Sequence, residues 1–271
     1  MYSHVLKQEM TVTEEVLAID SAFLKREVLC SLLVPEGFDG LDKINLLLLN
    51  DGQETENLEL RSTLEKLYSY QQIKPTLVAA IHAGERIQEY GVAGNPDFKG
   101  RGSKASAYTS FITQELVPRL QELIGMKTFG TIAFAGFSLG GLAALDIAWN
   151  NPALFDKVGA FSGSFWWRSK DLKDGYLDDQ DRIMHKIIRQ KQHRPDLKFW
   201  FQTGTNDETA DRNQNGIIDS MDDTVDLIRT LESKGYNRSE DIQYVEMING
   251  KHNVETWAKA MPKFLRWAFG R

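Results

Sequence analysis

A glycine-flanked serine, set between an apolar run and a helix-forming run, constrains this chain more than any other feature. Thr131-Ile132-Ala133-Phe134-Ala135 reads as a buried strand, Gly136-Phe137-Ser138-Leu139-Gly140-Gly141 follows, and Leu142-Ala143-Ala144-Leu145-Asp146 opens a helix. Side chains at the flanking positions of so tight a turn would clash with the neighbouring strand or helix, hence the glycines. The turn lifts the serine hydroxyl clear of the sheet, and the helix N-terminus lays a positive dipole end where negative charge would develop. G-x-S-x-G in this context makes Ser138 a candidate nucleophile.

The remaining pattern supplies a sheet for that turn. Strands are expected at Val12–Ile19, Val28–Val34, Ile44–Asn50, Leu77–Ala83, Thr131–Gly136, Lys157–Ser162, Lys198–Thr203 and Gln243–Met247. Helices are expected at Leu58–Gln72, Lys104–Ile124, Leu139–Asn150, Asp222–Lys234 and Val254–Phe269. The first two strands follow each other directly, and from Ile44 onward strand and helix alternate. That is the sequence form of an α/β fold: a mostly parallel central sheet with an antiparallel N-terminal strand pair and helices on both faces. No repeat or linker divides residues 1–271, so one domain is expected. Residues 163–197, a 35-residue interval with a helix expected around Asp181–Gln192, are a candidate cap at the carboxyl end of the sheet.

A serine nucleophile needs a base, and the base an orienting acid, in the order Ser, acid, His on such a sheet. Three histidines follow Ser138. His185 and His193 lie in a basic helical stretch, whereas His252, in Asn249-Gly250-Lys251-His252-Asn253, directly follows the last strand and can reach back over the sheet. Asp207 is the first carboxylate past the penultimate strand, with Glu208 and Asp211 as competitors. Two N–H groups should hold the oxyanion: that of Leu139, after the nucleophile, and that of Gln53, presented by the Asp51-Gly52 turn after the third strand.

A second motif occupies the acid loop. Asp211, Asn213 and Asn215 fall at positions 1, 3 and 5 of a calcium loop, with Gly216 at the sharp-turn position. Ile217 offers its carbonyl at 7, and Asp219 and Asp222 stand at 9 and 12. A strand precedes this segment where a helix would enter an EF-hand. Charge points the same way. The chain has 38 acidic and 32 basic residues, net −6; residues 207–226 hold seven acids against Arg212 alone, 7 − 1 = 6, so this window carries the whole excess. Such crowding favours a cation, and residues 207–223 are expected to bind a structural Ca²⁺.

The ordered set of motifs resembles the putative-esterase family of the α/β-hydrolase fold, the group of enterochelin esterases, esterase D-type enzymes and feruloyl esterases. The resemblance rests on Leu48-Leu49-Asn50-Asp51-Gly52-Gln53, Arg86-Ile87-Gln88-Glu89-Tyr90, Tyr108-Thr109-Ser110-Phe111 and Glu115-Leu116-Val117-Pro118. It continues through the serine turn, Asn151-Pro152-Ala153-Leu154-Phe155, Ser162-Gly163-Ser164-Phe165-Trp166-Trp167, and Gly250-Lys251-His252-Asn253 with Trp257. It implies ester hydrolysis through an acyl-enzyme, with Ser138 the nucleophile, His252 the base, and Gln53 and Leu139 the oxyanion donors. Asn50 stands where relatives often have an apolar residue. Arg86, Tyr90, Trp166 and Trp167 are candidates to line a substrate pocket.

A serine carboxylesterase acting on a small-molecule ester is therefore expected. An acyltransferase with the same triad, or a non-catalytic calcium-dependent binding module, are the alternatives. The acidic balance excludes a nucleic-acid partner. No dinucleotide, Walker or zinc-spaced motif calls for a catalytic cofactor. The longest aliphatic run, Leu46 to Leu49, is too short for a membrane helix. The N-terminus lacks the basic-then-apolar form of a secretory leader, and the lone Cys30 allows no internal disulfide, so a cytoplasmic location is expected.

Overall fold

The computed structural model describes residues 10–37 and 43–271. Residues 1–9, part of the stretch read for a leader, lie outside the described residues. In chain order the elements are β1 (Val12–Ser21), β2 (Arg26–Pro35), β3 (Asn45–Asn50), α1 (Leu60–Ser69), β4 (Thr76–Ile81) and α2 (Arg86–Glu89). Next come α3 (Ala105–Ser110), α4 (Val117–Leu123), β5 (Ile132–Phe137), α5 (Leu139–Asn150) and β6 (Lys157–Phe161). The chain ends with α6 (Asp178–Asp181), α7 (Ile183–Gln190), β7 (Lys198–Asn206), α8 (Asp219–Ser233), β8 (Ile242–Lys251) and α9 (Val254–Phe269).

The strands form one eight-stranded sheet in the order β1-β2-β4-β3-β5-β6-β7-β8. β2 pairs antiparallel with both neighbours and every other pairing is parallel, so β2 alone runs against the rest. Strand side chains alternate between two apolar layers. Leu47, Leu49, Ala133 and Trp200 pack under α1 and α9, through Leu60, Leu64, Met261 and Phe264. Leu46, Leu48, Phe134 and Phe199 pack under the helices of the opposite face, through Tyr108, Leu142, Trp149 and Leu227. α5 is buried from Leu139 to Trp149, as a helix without a polar face must be. Cys30 is buried in β2, and burial pushes its thiol up to about 12, which leaves it unreactive. Among the described residues no helix is long and apolar enough to cross a membrane.

Two expectations are corrected. The helix expected over Lys104–Ile124 is three pieces, α3, a π-helical turn at Phe111–Leu116, and α4. Pro118, in the first turn of α4, has no N–H to continue the ladder behind it. The single helix expected around Asp181–Gln192 is α6 and α7, separated at Arg182, whose backbone is extended.

That break brings Arg182 under α8, which revises the charge reading. Arg182 donates from Nη1 to Asp223 Oδ1 (2.7 Å) and from Nη2 to Asp226 Oδ2 (2.9 Å), across 44 residues of sequence in the second case. Arg212 reaches Asp178 (2.8 Å), Asp219 (3.2 Å) and Asp223 (2.5 Å). With Arg229 also reaching Asp226 (3.1 Å), the acids of residues 207–226 meet three guanidinium groups, and their number alone no longer demands a cation. The network also ties the 163–197 segment to the body of the fold. Arg182 and Asp223 are both 1% exposed, so Asp223→Ala would take from Arg182 its buried carboxylate, leaving the partly exposed Asp226, and would take a partner from Arg212 as well. A loss of about 3 kcal/mol or more in urea unfolding is expected. A loss under about 1 kcal/mol would show that the pair is not the anchor.

Candidate active site

Ser138 closes β5 and opens α5 with φ 54° and ψ −120°, a backbone conformation that few side-chain-bearing residues adopt. The strain is held by bonds on both sides of the residue. Ser138 N–H donates to Phe161 O (2.9 Å), and its carbonyl accepts from Gly141 N (3.1 Å) and Ser164 N (3.1 Å). A Cβ on Gly140 would lie 2.9 Å from Asp51 Oδ2, and one on Gly136 would run into the Gly140 carbonyl. Backbone occupies the space at Gly136, and the Asp51 and Asn50 side chains occupy it at Gly140. Leu139, first residue of α5, has no helical acceptor for its N–H.

The candidate acid and the candidate base leave the sheet from adjacent strands. β7 and β8 slip between Gly204 and Asn206, after which Asn206 pairs with Lys251. The next residue on each strand is Asp207 and His252, so the two leave the sheet side by side. Asp207 is buried, with Oδ2 accepting from Gly204 N (3.0 Å) and Oδ1 without a partner. Burial holds its pKa above the ordinary value. The competitors point elsewhere: Glu208 accepts from Ser220 N (2.6 Å) at the start of α8, and Asp211 caps its own loop through Asn215 N and Gly216 N.

His252 keeps one side open to solvent, while the Trp257 ring lies edge-on at 5.3 Å beneath it. Desolvation by this packing lowers its pKa; the charge of Asp207 pulls the other way and that of Arg86 adds to the lowering. Among the described residues His252 makes no hydrogen bond to Ser138 or Asp207. The Ser138 hydroxyl instead lies 3.2 Å from the buried Ser164 hydroxyl. Ser162 accepts from Trp257 Nε1 (3.0 Å) and, close to Asp207, lowers its pKa against the effect of burial. Ser162 and Ser164 therefore contact the site's surroundings without having been singled out for a role, since a Ser-Gly-Ser turn carries no chemical signature of its own.

On the oxyanion side, Gly52–Glu54 form one 3₁₀ turn. Its first bond runs from Glu54 N to Asp51 O (3.0 Å), leaving the Gln53 N–H without an acceptor inside the turn. The Gln53 side chain is anchored over β4, accepting from Ala83 N (3.1 Å).

The expected pocket residues divide. Tyr90 and Trp167 are 0% exposed and belong to the core, which removes them as pocket lining. Bulky aromatics after a strand found more apolar contact beneath the loops than above them. Trp166 is half-buried, with the Arg101 guanidinium 4.9 Å from its ring. Arg86 faces inward, donating from Nε and Nη2 to Asp51 (2.7 and 3.0 Å) and from Nη2 to Phe137 O (3.2 Å). His185, in the basic helical stretch, is buried with Nε2 2.9 Å from the Asp223 carbonyl.

The chain matches the family described as Putative esterase over residues 21–268. Uncharacterized protein YbbA of Bacillus subtilis is 21% identical over 213 residues, 77% of this chain and 79% of its own length. The enterobactin esterase FES from Shigella flexneri superposes with a TM-score of 0.71 at 18% identity, over 94% of this chain. The chain spans 59% of that enzyme's length. A ferulic acid esterase superposes with a TM-score of 0.71 at 16% identity, over 97% of this chain and 99% of its own.

Proposed function

The chain belongs to the Putative esterase family, and on that premise we propose that it is a serine carboxylesterase using Ser138, His252 and Asp207. The observation that carries this reading is the β7–β8 register, which delivers Asp207 and His252 together at the carboxyl end of the sheet that also presents Ser138. The unpartnered Asp207 Oδ1 is the acceptor an imidazole Nδ1–H would take. Oriented in this way, Nε2 accepts the Ser138 proton as Oγ attacks the ester carbonyl carbon. The carbonyl π electrons move to oxygen, where the Gln53 and Leu139 N–H groups receive the charge. Collapse expels the alcohol, which takes its proton from His252. Water then repeats the sequence on the acyl-enzyme and releases the acid. The substrate class is a small-molecule ester.

The test is labelling by a fluorophosphonate, with the modified peptide mapped by mass spectrometry. Modification at Ser138, lost in Ser138→Ala, is expected. Esterase turnover by a protein that no serine probe modifies would overturn the reading.

We propose in addition that residues 211–222 take a calcium ion. Asn213 and Asn215 both donate their amides to Asp222 Oδ2 (2.9 and 2.7 Å), and Asp211 gathers the Asn215 and Gly216 N–H groups (3.1 and 2.9 Å). Positions 3, 5 and 12 thus gather at one place in the loop through the amide nitrogens, and a hard cation there would turn the amide oxygens inward. Among the described residues no three His, Cys, Asp or Glu side chains stand grouped for a metal, and Asp219 is engaged by Arg212. The ligands would be the Asp211 and Asp222 carboxylates, the two amide oxygens and the Ile217 carbonyl, with Asp219 acting through water. So low a charge count places the dissociation constant at about 10⁻⁴–10⁻³ M. After chelation, about 5 mM calcium is expected to raise Tm by a few degrees. An unchanged melt and a flat calorimetric titration would contradict calcium binding.

A further inference from the structure

Asn50 and Asp51 leave β3 directly ahead of the turn that carries Gln53, and both reach across to the serine turn. Asn50 is fully buried, donating from Nδ2 to Gly140 O (2.7 Å) while its Oδ1 accepts from Tyr108 Oη (2.5 Å). Asp51 is gripped by Arg86 through two parallel bonds, and the same guanidinium donates to Phe137 O. Tyr90 completes the arrangement, its hydroxyl accepting from Asp51 N (3.1 Å) while its ring packs 5.2 Å from the Arg86 guanidinium. Phe137 and Gly140 are the residues two before and one after Leu139. The serine turn is therefore pinned to the Gln53 turn on both sides of the residue that supplies the second N–H.

We propose that Asn50 and Arg86 are positioning residues that fix the separation of the Gln53 and Leu139 N–H groups. The proposal rests on the oxyanion reading above and assigns to these residues no contact with the ester. An apolar side chain at position 50 could fill the space but could not hold the Gly140 carbonyl. Lysine at 86 would keep the charge but could not hold Asp51 and Phe137 O together in one plane. Backbone donors act on transition-state charge only when they are placed within a few tenths of an ångström, and a 1 Å displacement can cost about 10²-fold in rate.

The experiment compares Arg86→Lys, Asn50→Leu and the double variant with p-nitrophenyl acetate and with a boronic acid, which forms a tetrahedral anionic adduct on a nucleophilic serine. Each single variant is expected to lower kcat about 10- to 100-fold with KM within about threefold, and to weaken boronate inhibition in parallel. The double variant should lose less than the product of the two, because both pins act on one distance. Arg86→Lys guards against a folding artefact at the buried Asn50, and a thermal melt accompanies each variant. A rise in KM with kcat unchanged would assign Arg86 to substrate binding and overturn the proposal, as would unchanged kcat and boronate affinity in Arg86→Lys. Ser138→Ala separates the two levels. An inactive Ser138→Ala beside a fully active Arg86→Lys rejects the pins alone. An active Ser138→Ala rejects the site and the pins with it.

Discussion

Ser138→Gly is expected to abolish ester hydrolysis and to stabilise the protein. Ser138 holds φ 54° and ψ −120°, which costs a side-chain-bearing residue about 1–3 kcal/mol, whereas glycine adopts it freely. Glycine gives back part of that gain through the greater freedom of its unfolded chain, about 0.5–1 kcal/mol. A net stabilisation of about 1 kcal/mol should appear as a Tm higher by about 2–4 °C for a chain of this size. Loss of the hydroxyl should lower kcat by about 10⁴-fold or more. Ser138→Ala should match the loss of activity without the gain in Tm, since its Cβ keeps the strain. A Ser138→Gly protein that melts no higher than Ser138→Ala would show that any strain in the turn is no more than about 0.5–1 kcal/mol, the amount that glycine loses.

His252→Ala and Asp207→Asn are each expected to cost about 10⁴-fold in kcat, and their pH profiles should separate base from acid. His252 works as a base only when neutral. Desolvation holds its pKa below the ordinary value near 6.5, so the rising limb of kcat/KM should lie below pH 6.5. The Asp207 carboxylate opposes that lowering by favouring the imidazolium. Asparagine removes the charge, so the limb of the residual activity should move to lower pH. A limb that stays in place, or moves up, would show that Asp207 does not face the imidazole.

The serine turn could be read from sequence because its requirements are local: an apolar strand, two glycines and a helix within ten residues. The sheet could be read for a related reason, since alternating strands and helices leave few ways to cover both faces. Its place after the penultimate strand favours Asp207 over Glu208 and Asp211, but the slip of register that sets Asp207 beside His252 could not be read. Nor could the compensation of the acid loop, which Arg182 supplies from 41 residues before Asp223. Arg86 was legible as a cation near the site, but its direction is set by Asp51 and Phe137 O, which lie 35 and 51 residues away in opposite directions. Trp167 shows the same limit, since a tryptophan after a strand suits a pocket wall and a core equally well until packing decides.

The central claim is that ester hydrolysis passes through an acyl group on Ser138. Turnover of p-nitrophenyl acetate, quenched in acid during steady state and digested for peptide mass analysis, tests it directly. An acetyl group on the peptide containing Ser138, absent from Ser138→Ala, is the expected result. Sustained turnover with no acetylated serine, or with the acetyl group on another residue, would contradict it.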